Sequence, residues 1–361
     1  MLSWLVSLWG AFLKMLYFLL YPRSILVFPT RKIYIDQKKL LGEGAFASVY
    51  RAYEANIVWN YGMDKVPRGY AVKKMYIQST ENECDAANEI SALKRFKHPN
   101  IIPLLDYISN CKEGDRIVTY LLFPLMTQGS LRNVLNQQID CGKTGYKNMK
   151  LSHINSSSND LSVQRPTLFN VLNDFFSICS AYNLLHTSIP SYVHGDIKPE
   201  NILIADDNTP ILTDFGSTRF SDIVVSTRAV ALQVSEQAAK YCTISYRAPE
   251  LFDPPKGITL CSRTDVWGLG ALLYSWWFGY SPFEIEFNEN NGTIRVVVCS
   301  YLKVLANIPK PPNPSDEDNC IIDLCHWMLN KDISTRPYTS DVMERVKDIL
   351  RKIPQNTGEY V

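Results

Sequence analysis

Tyr192-Val193-His194-Gly195-Asp196-Ile197-Lys198-Pro199-Glu200-Asn201-Ile202-Leu203, followed closely by Leu212-Thr213-Asp214-Phe215-Gly216, decides how the rest of the chain is read. The carboxylates of Asp196 and Asp214, the Asn201 amide and Lys198 fall in a short span between apolar, strand-like runs that would pin them at a cleft. An amide and a carboxylate can hold a hard divalent cation. A lysine can neutralise a moving phosphate, and a second carboxylate can orient an attacking hydroxyl. Transfer of a γ-phosphoryl group needs these parts, and a loop rarely collects them by chance.

Working outward toward the N-terminus, Gly42-Glu43-Gly44-Ala45-Phe46-Ala47-Ser48-Val49 lies between two strand-like runs, Lys39 to Leu41 and Val49 to Tyr53. Glycines at 42 and 44 would let backbone N–H groups approach phosphate oxygens; alone, the motif reads equally well as a β-turn. Tyr70-Ala71-Val72-Lys73 is a strand ending in a lysine, which by itself is more often a solvated side chain. The helix that follows is expected to start near Thr80, with Thr80 and Glu83 spaced as a capping box. On it Ala86, Glu89, Ile90 and Leu93 share one face, so Glu89 points inward among apolar neighbours. An inward carboxylate is costly unless paired, and Lys73 is the obvious cation.

Composition narrows the class. The 361 residues are 46% hydrophobic and 20% charged with a formal net charge of +1, which is globular usage with no field for a polyanion, so no nucleic-acid partner is expected. The nine cysteines are odd in number and contain no Cys-x-x-Cys pair, so neither a disulfide framework nor a zinc site is indicated. Gly142-Lys143-Thr144 is not a P-loop, because position 137 is Gln138's neighbour Gln137 rather than glycine and no apolar strand precedes it.

Residues 2–21 form an apolar run whose one charge is Lys14, long enough as a helix to span a hydrocarbon core. Arg23, Arg31, Lys32, Lys38 and Lys39 all follow it, which leaves the remaining chain on the cytosolic side. A spanning anchor, an in-plane or hairpin insertion, and a soluble docking helix or wrong start codon all remain open as readings of this run. No basic region precedes it and no small-x-small site closes it, which argues against a cleaved signal peptide. The expected organisation is a membrane-anchor segment at 1–28 and a catalytic domain at 29–352, with a short tail at 353–361. After Pro29 the pattern is β-rich, and from about Thr127 it is mainly helical. That order predicts an α+β chain with a small mainly β N-lobe, 29–126, and a larger mainly α C-lobe, 127–352, preceded by an N-terminal apolar helix. A polar stretch at 136–166 reads as an inserted surface loop.

On these motifs the chain resembles a eukaryotic protein kinase from about Lys32 to Leu350. The resemblance implies a bilobal kinase fold using ATP and Mg²⁺ on Ser/Thr of protein substrates. Lys73 would contact the α- and β-phosphates and pair with Glu89; Asp196 would take or orient the substrate hydroxyl proton, and Asn201 and Asp214 would hold Mg²⁺. Lys198, two residues after Asp196, is the serine/threonine signature, and Thr243, five before Ala248-Pro249-Glu250, supports it. Gly42, Gly44 and Lys73 would face the phosphates. Leu41, Val49, Ala71 and Leu203 would enclose adenine, with Phe123 as gatekeeper and a hinge from Pro124 to Met126. Asp265 would brace the catalytic loop, and Glu250 would pair with Arg336. Closer still, Cys242-Thr243-Ile244-Ser245-Tyr246-Arg247-Ala248-Pro249-Glu250-Leu251-Phe252, Arg263-Thr264-Asp265-Val266-Trp267 and Phe278-Gly279-Tyr280-Ser281-Pro282-Phe283 resemble the Numb-associated kinase family, in its acylated membrane-bound branch. That likeness implies an extra helix at Leu251 to Cys261 and a role in vesicle traffic at the cytosolic face of a Golgi, vacuolar or endosomal membrane.

Three departures stand out. The third glycine of the phosphate loop is Ala47. The usual Arg before the catalytic aspartate is Gly195, which removes the ordinary partner of an activation-loop phosphate and predicts activity independent of that mark. Residue 2 is Leu and no cysteine precedes Cys84, so the apolar run substitutes for the lipid of the relatives. A pseudokinase scaffold and a small-molecule kinase are the rival readings. The first is opposed by the presence of Lys73, Asp196 and Asp214, the second by Thr243 and the intact Ala-Pro-Glu.

Overall fold

The computed structural model describes residues 25–44, 47–55, 69–142, 144, 166–290 and 292–354. Contacts divide the chain into two compact units, one of 1–95 with 102–126, the other of 96–101 with 127–361. The expected apolar helix at 2–21 lies outside the described residues; among those described, no helix is long and apolar enough to cross a membrane.

The first unit is a six-stranded antiparallel sheet in the order β1-β2-β3-β4-β6-β5. Its strands are β1 (Ile25–Val27), β2 (Lys32–Glu43), β3 (Ala47–Glu54), β4 (Tyr70–Ile77), β5 (Asp106–Glu113) and β6 (Arg116–Pro124). Side chains alternate across a strand, so register decides which residues share a face. Leu26, Phe28, Ile33, Ile35, Ala52, Val72, Val118, Tyr120 and Leu122 form the core on one side. Helix α1 (Thr80–Arg95) belongs to this unit and buries Ala86, Glu89, Ile90 and Leu93. Its start differs by one residue from the expected capping box. Ser79, not Thr80, is the cap, its hydroxyl accepting from the Asn82 amide at 3.2 Å.

The second unit is mainly helical. Helices α2 (Leu131–Asp140) and α3 (Leu168–His186) precede the strand pairs β7 (Tyr192–Val193) with β10 (Arg219–Phe220), and β8 (Ile202–Ile204) with β9 (Pro210–Leu212). Strand β11 (Ile223–Val224) leads into α4 (Arg228–Tyr241) and pairs with β12 (Thr259–Leu260). Then come α5 (Arg263–Phe278), the hairpin β13 (Ile285–Phe287) and β14 (Ile294–Val296), and α6 (Tyr301–Leu305), α7 (Asp316–Met328) and α8 (Thr339–Lys352). Helix α5 is apolar all round and buried from Thr264 to Phe278, the pattern of a helix in the middle of a core. Helix α7 packs on α5, and α8 on α3.

Two expectations need correction. Residues 136–140 continue α2, so the stretch read as an insert starts later; 143 and 145–165 lie outside the described residues. The extra helix is absent from Leu251 to Cys261, where Pro254, Pro255 and Gly257 break helical geometry and a short strand forms. A helix stands earlier instead. Thr227 caps α4 by accepting from the Val230 amide, and Ala231, Val234 and Ala238 supply a buried stripe at i, i+3 and i+7.

Candidate active site

In the sheet unit, Val49 lies opposite Lys73 and Lys73 opposite Leu121, while Ala71 faces Phe123. Directly paired residues, and residues two apart, share a face. Val49, Ala71, Lys73 and Phe123 therefore stand together on the face opposite the sheet core. The Lys73 Nζ donates to both carboxylate oxygens of Glu89 at 2.8 Å. Glu89 is 1% exposed and Lys73 15%, so the ion pair answers the burial cost of an inward carboxylate. Gly42 pairs with Val49 and a Cβ on it would meet nothing within 4 Å, whereas Gly44 closes the turn through its amide to the Ala47 carbonyl at 2.8 Å. Leu41 is exposed at the end of β2. Pro124 ends β6 opposite Tyr70, where no further ladder bond asks for its missing N–H, and Met126 follows half-buried.

In the helical unit, β7 delivers the loop that begins at His194. Asp265, from the first turn of α5, accepts the backbone amides of His194 (2.7 Å) and Gly195 (3.2 Å) and the His186 Nε2 at 3.0 Å. Burial pushes the Asp265 carboxyl up, but the hydrogen bond and charge of His186 and the His194 amide outweigh it and hold the group below the usual range. Gly195 has φ +84°, and a Cβ there would sit 2.5 Å from Arg219 Nη1 and 2.9 Å from the Ser217 carbonyl. Glycine is thus required twice, by backbone conformation and by space. Arg219, from β10, places a guanidinium beside this loop, where Gly195 stands in the position of the usual arginine.

Next to Gly195, Asp196 is buried and fully engaged. Its Oδ1 accepts from the Thr243 amide (3.1 Å) and hydroxyl (2.9 Å), and its Oδ2 lies 2.6 Å from Lys198 Nζ. Lys198 Nζ also donates to Thr243 Oγ1 at 3.2 Å, so the three side chains close a triangle. Asn201 Nδ2 donates to the Asp196 carbonyl (2.8 Å) and to Oδ2 (3.1 Å), two bonds that do not engage the amide oxygen Oδ1. Hairpin β8–β9 returns the chain so that the Thr213 amide donates to the Asn201 carbonyl at 3.0 Å, placing Asp214 beside Asn201 along the backbone. Asp214 adopts φ +61°, ψ +73°, a left-handed conformation an aspartate tolerates. Phe215 behind it is fully buried and sits edge-on to His194 at 5.2 Å between ring centroids. Leu203 lies half-buried in β8.

A family model described as the protein kinase domain matches residues 35–346. The chain belongs to the protein kinase family. It is 30% identical to serine/threonine-protein kinase 16 of Rattus norvegicus, over 79% of this chain and 83% of that one. It is 29% identical to serine/threonine-protein kinase ppk13 of Schizosaccharomyces pombe, over 86% and 88%. Serine/threonine-protein kinase ENV7 of Saccharomyces cerevisiae is 26% identical, over 86% and 91%. The chain is a protein serine/threonine kinase, and a protein kinase domain in general implies the use of ATP and Mg²⁺.

The donor set of this kinase suits a cation held jointly with a phosphorylated ligand. Among the described residues no group of three or more His, Cys, Asp or Glu could hold a metal. One amide oxygen and one carboxylate, Asn201 and Asp214, fit Mg²⁺, which commonly takes one or two protein ligands and completes its shell with phosphate and water. Sequence reasoning missed several parts of the kinase. Arg132 and His186 find partners far along the chain and leave no local pattern, whereas Arg219 bonds the Ser217 carbonyl two residues away and leaves its trace in Gly195, which it crowds. The helix α4 did leave a trace, in Thr227 and the alanines after it.

Proposed function

We propose that this kinase phosphorylates serine and threonine through Asp196 as the acceptor-orienting carboxylate, at the cytosolic face of an endomembrane. The Asp196–Lys198–Thr243 triangle carries the reading of the chemistry. A substrate hydroxyl displacing the Thr243 hydroxyl at Asp196 Oδ1 would meet an acceptor held in place by Asn201, with the Lys198 ammonium beside it to offset charge on the transferred group. Lys73, fixed by Glu89, orients the α- and β-phosphates of the nucleotide, and Gly42 and Gly44 leave room for phosphates near the backbone. Leu41, Val49, Ala71 and Phe123 are the base-contacting residues of the sheet unit and Leu203 that of the helical unit, and Pro124 and Met126 offer the base backbone groups. Mg²⁺, when bound, spreads the negative charge of the transferred group, and Asn201 and Asp214 would hold it. Mg·ATP-dependent phosphorylation of Ser/Thr peptides should vanish in Asp214→Ala and in Asp196→Asn while both proteins stay folded. Retention of wild-type rates by either would overturn these roles.

Membership of the Numb-associated family, in its membrane-bound branch, is supported by the runs from Cys242 to Phe252, Arg263 to Trp267 and Phe278 to Phe283. Membrane attachment through residues 2–21 is supported by their apolar length and by the basic residues that follow. From this come the further parts of the reading, a Golgi, vacuolar or endosomal address and substrates in vesicle traffic. A chain of residues 29–361 should leave the membrane pellet that retains the full chain; finding it still in the pellet would remove the anchor. Independence from an activation-loop phosphate rests on a new footing, since Arg219 restores a cation near Gly195. In the unmodified chain Thr243 is already docked on Asp196 and the Ser281 hydroxyl already donates to the Ser245 carbonyl at 2.7 Å, so a phosphate has no loop left to order.

A further inference from the structure

Arg132, the second residue of α2, uses three nitrogens on three separate segments. Its Nε donates to Glu200 Oε1 in the catalytic loop (2.9 Å), Nη1 to the Gly279 carbonyl at the end of α5 (2.9 Å) and Nη2 to the Tyr246 hydroxyl (3.1 Å). Each site suits a cation. Glu200 is a carboxylate, Gly279 lies at the negative end of a helix that closes in a left-handed cap, and the Tyr246 hydroxyl has an outlet for its own proton. That outlet is Ser275: its hydroxyl donates to the Ala271 carbonyl at 2.8 Å, so at 3.0 Å it accepts from Tyr246, and Tyr246 is left to accept from Arg132.

Glu200 stands two residues from Lys198 and four from Asp196, and its side chain is 46% exposed. An exposed carboxylate so close along the chain to Asp196 and Lys198 would draw a lysine or arginine of the substrate chain toward it. Here the position is already filled. Arg132 is 18% exposed and fixed by its two other bonds, so it holds Glu200 without the freezing of two mobile side chains that weakens ordinary surface pairs. We propose that Arg132 is a specificity-determining residue: it occupies Glu200 from within the kinase and prevents that carboxylate from selecting basic residues in the protein substrate.

The test is a pair of serine peptides differing only in arginine or norleucine near the phosphoacceptor, each flanking position tried in turn, with the full-length chain as enzyme. Wild type should show a ratio of kcat/KM between the two close to one. In Arg132→Met the ratio should rise at one or more positions by about three-fold or more, the scale of one partly exposed ion pair, and Arg132→Met/Glu200→Gln should return it to one. A guanidinium that merely staples the fold would lower kcat/KM for both peptides alike, and an unchanged ratio in Arg132→Met overturns the proposal. Should that variant not fold, Glu200→Gln in the otherwise wild-type chain decides. An unchanged ratio supports the proposal, and a lost preference for arginine shows that Glu200 was reading substrate all along and overturns it.

Discussion

Replacing Arg336 with methionine should be among the most damaging single changes in the helical unit. Its guanidinium donates to Glu250 Oε1 (2.7 Å) and Oε2 (2.9 Å), to the Asn330 carbonyl (2.9 Å) and to the Arg263 carbonyl (2.8 Å), and lies 5.2 Å from the Trp267 ring centroid. Arg336 is 0% exposed and Glu250 5%, so water cannot replace the lost donors. Stranding one partner of a buried ion pair costs about 3–5 kcal/mol, which for a unit of this size is a fall in Tm of about 10 °C. The effect belongs to the abandoned carboxylate, not to the pair as such, since a buried pair gains little over an apolar replacement. Arg336→Met/Glu250→Gln should therefore recover about half of the loss. Urea and thermal unfolding followed by tryptophan fluorescence would measure both, with Trp267 reporting from the site. A single variant melting within about 2 °C of wild type, or a double variant no better than the single, would refute the reasoning.

Gly195→Ala should lower kcat for peptide phosphorylation with little change in KM for ATP, because a Cβ forced against Arg219 and the Ser217 carbonyl shifts the neighbouring Asp196; left-handed strain alone is about 1–2 kcal/mol, and an unaltered kcat would show that the loop has room. Asp265→Asn should reduce kcat by about a hundred-fold through misplacement of the His194–Asp196 backbone. The Asp265 carboxyl is held below its unfolded value, so its stabilisation is complete above the ordinary aspartate range and lost as pH falls through the depressed value; the stability gap between wild type and Asp265→Asn, read by denaturant titration, should close in acid. Asp174 behaves oppositely. Burial pushes it up to about 6, so ionisation costs the folded chain stability as pH climbs toward that value, and Asp174→Asn should gain on wild type between about pH 4 and pH 6 and hold a constant advantage above it. A difference independent of pH would remove Asp174 from the account.

The parts legible in the sequence are those whose chemistry is concentrated in short runs. Asp196, Lys198 and Asn201 share one loop, so their residue types alone announce a phosphoryl-transfer set, and Glu89 betrays its partner because an inward carboxylate on an apolar stripe needs one. The order of strands and then helices follows from a change of hydrophobic period near Thr127. What stayed hidden depends on distant pairing or on weak competition between neighbours. Arg132 and Glu200 are 68 positions apart, and nothing local marks either as engaged. Ser79 and Thr80 are both good caps, and the choice falls to the one whose hydroxyl reaches the Asn82 amide. The misplaced helix has a different origin, because likeness to a family set it at Leu251 to Cys261 against the plain objection of Pro254, Pro255 and Gly257.

Helix α4 has a consequence for control. It fills much of the stretch between Phe215 and Ala248 with a capped, side-packed element in place of a slack strand. A slack strand can be tightened by a single covalent mark, whereas a helix responds as a block, staying formed or melting whole. A mark on this stretch would therefore have to melt or shift the whole block before it could reach the catalytic loop.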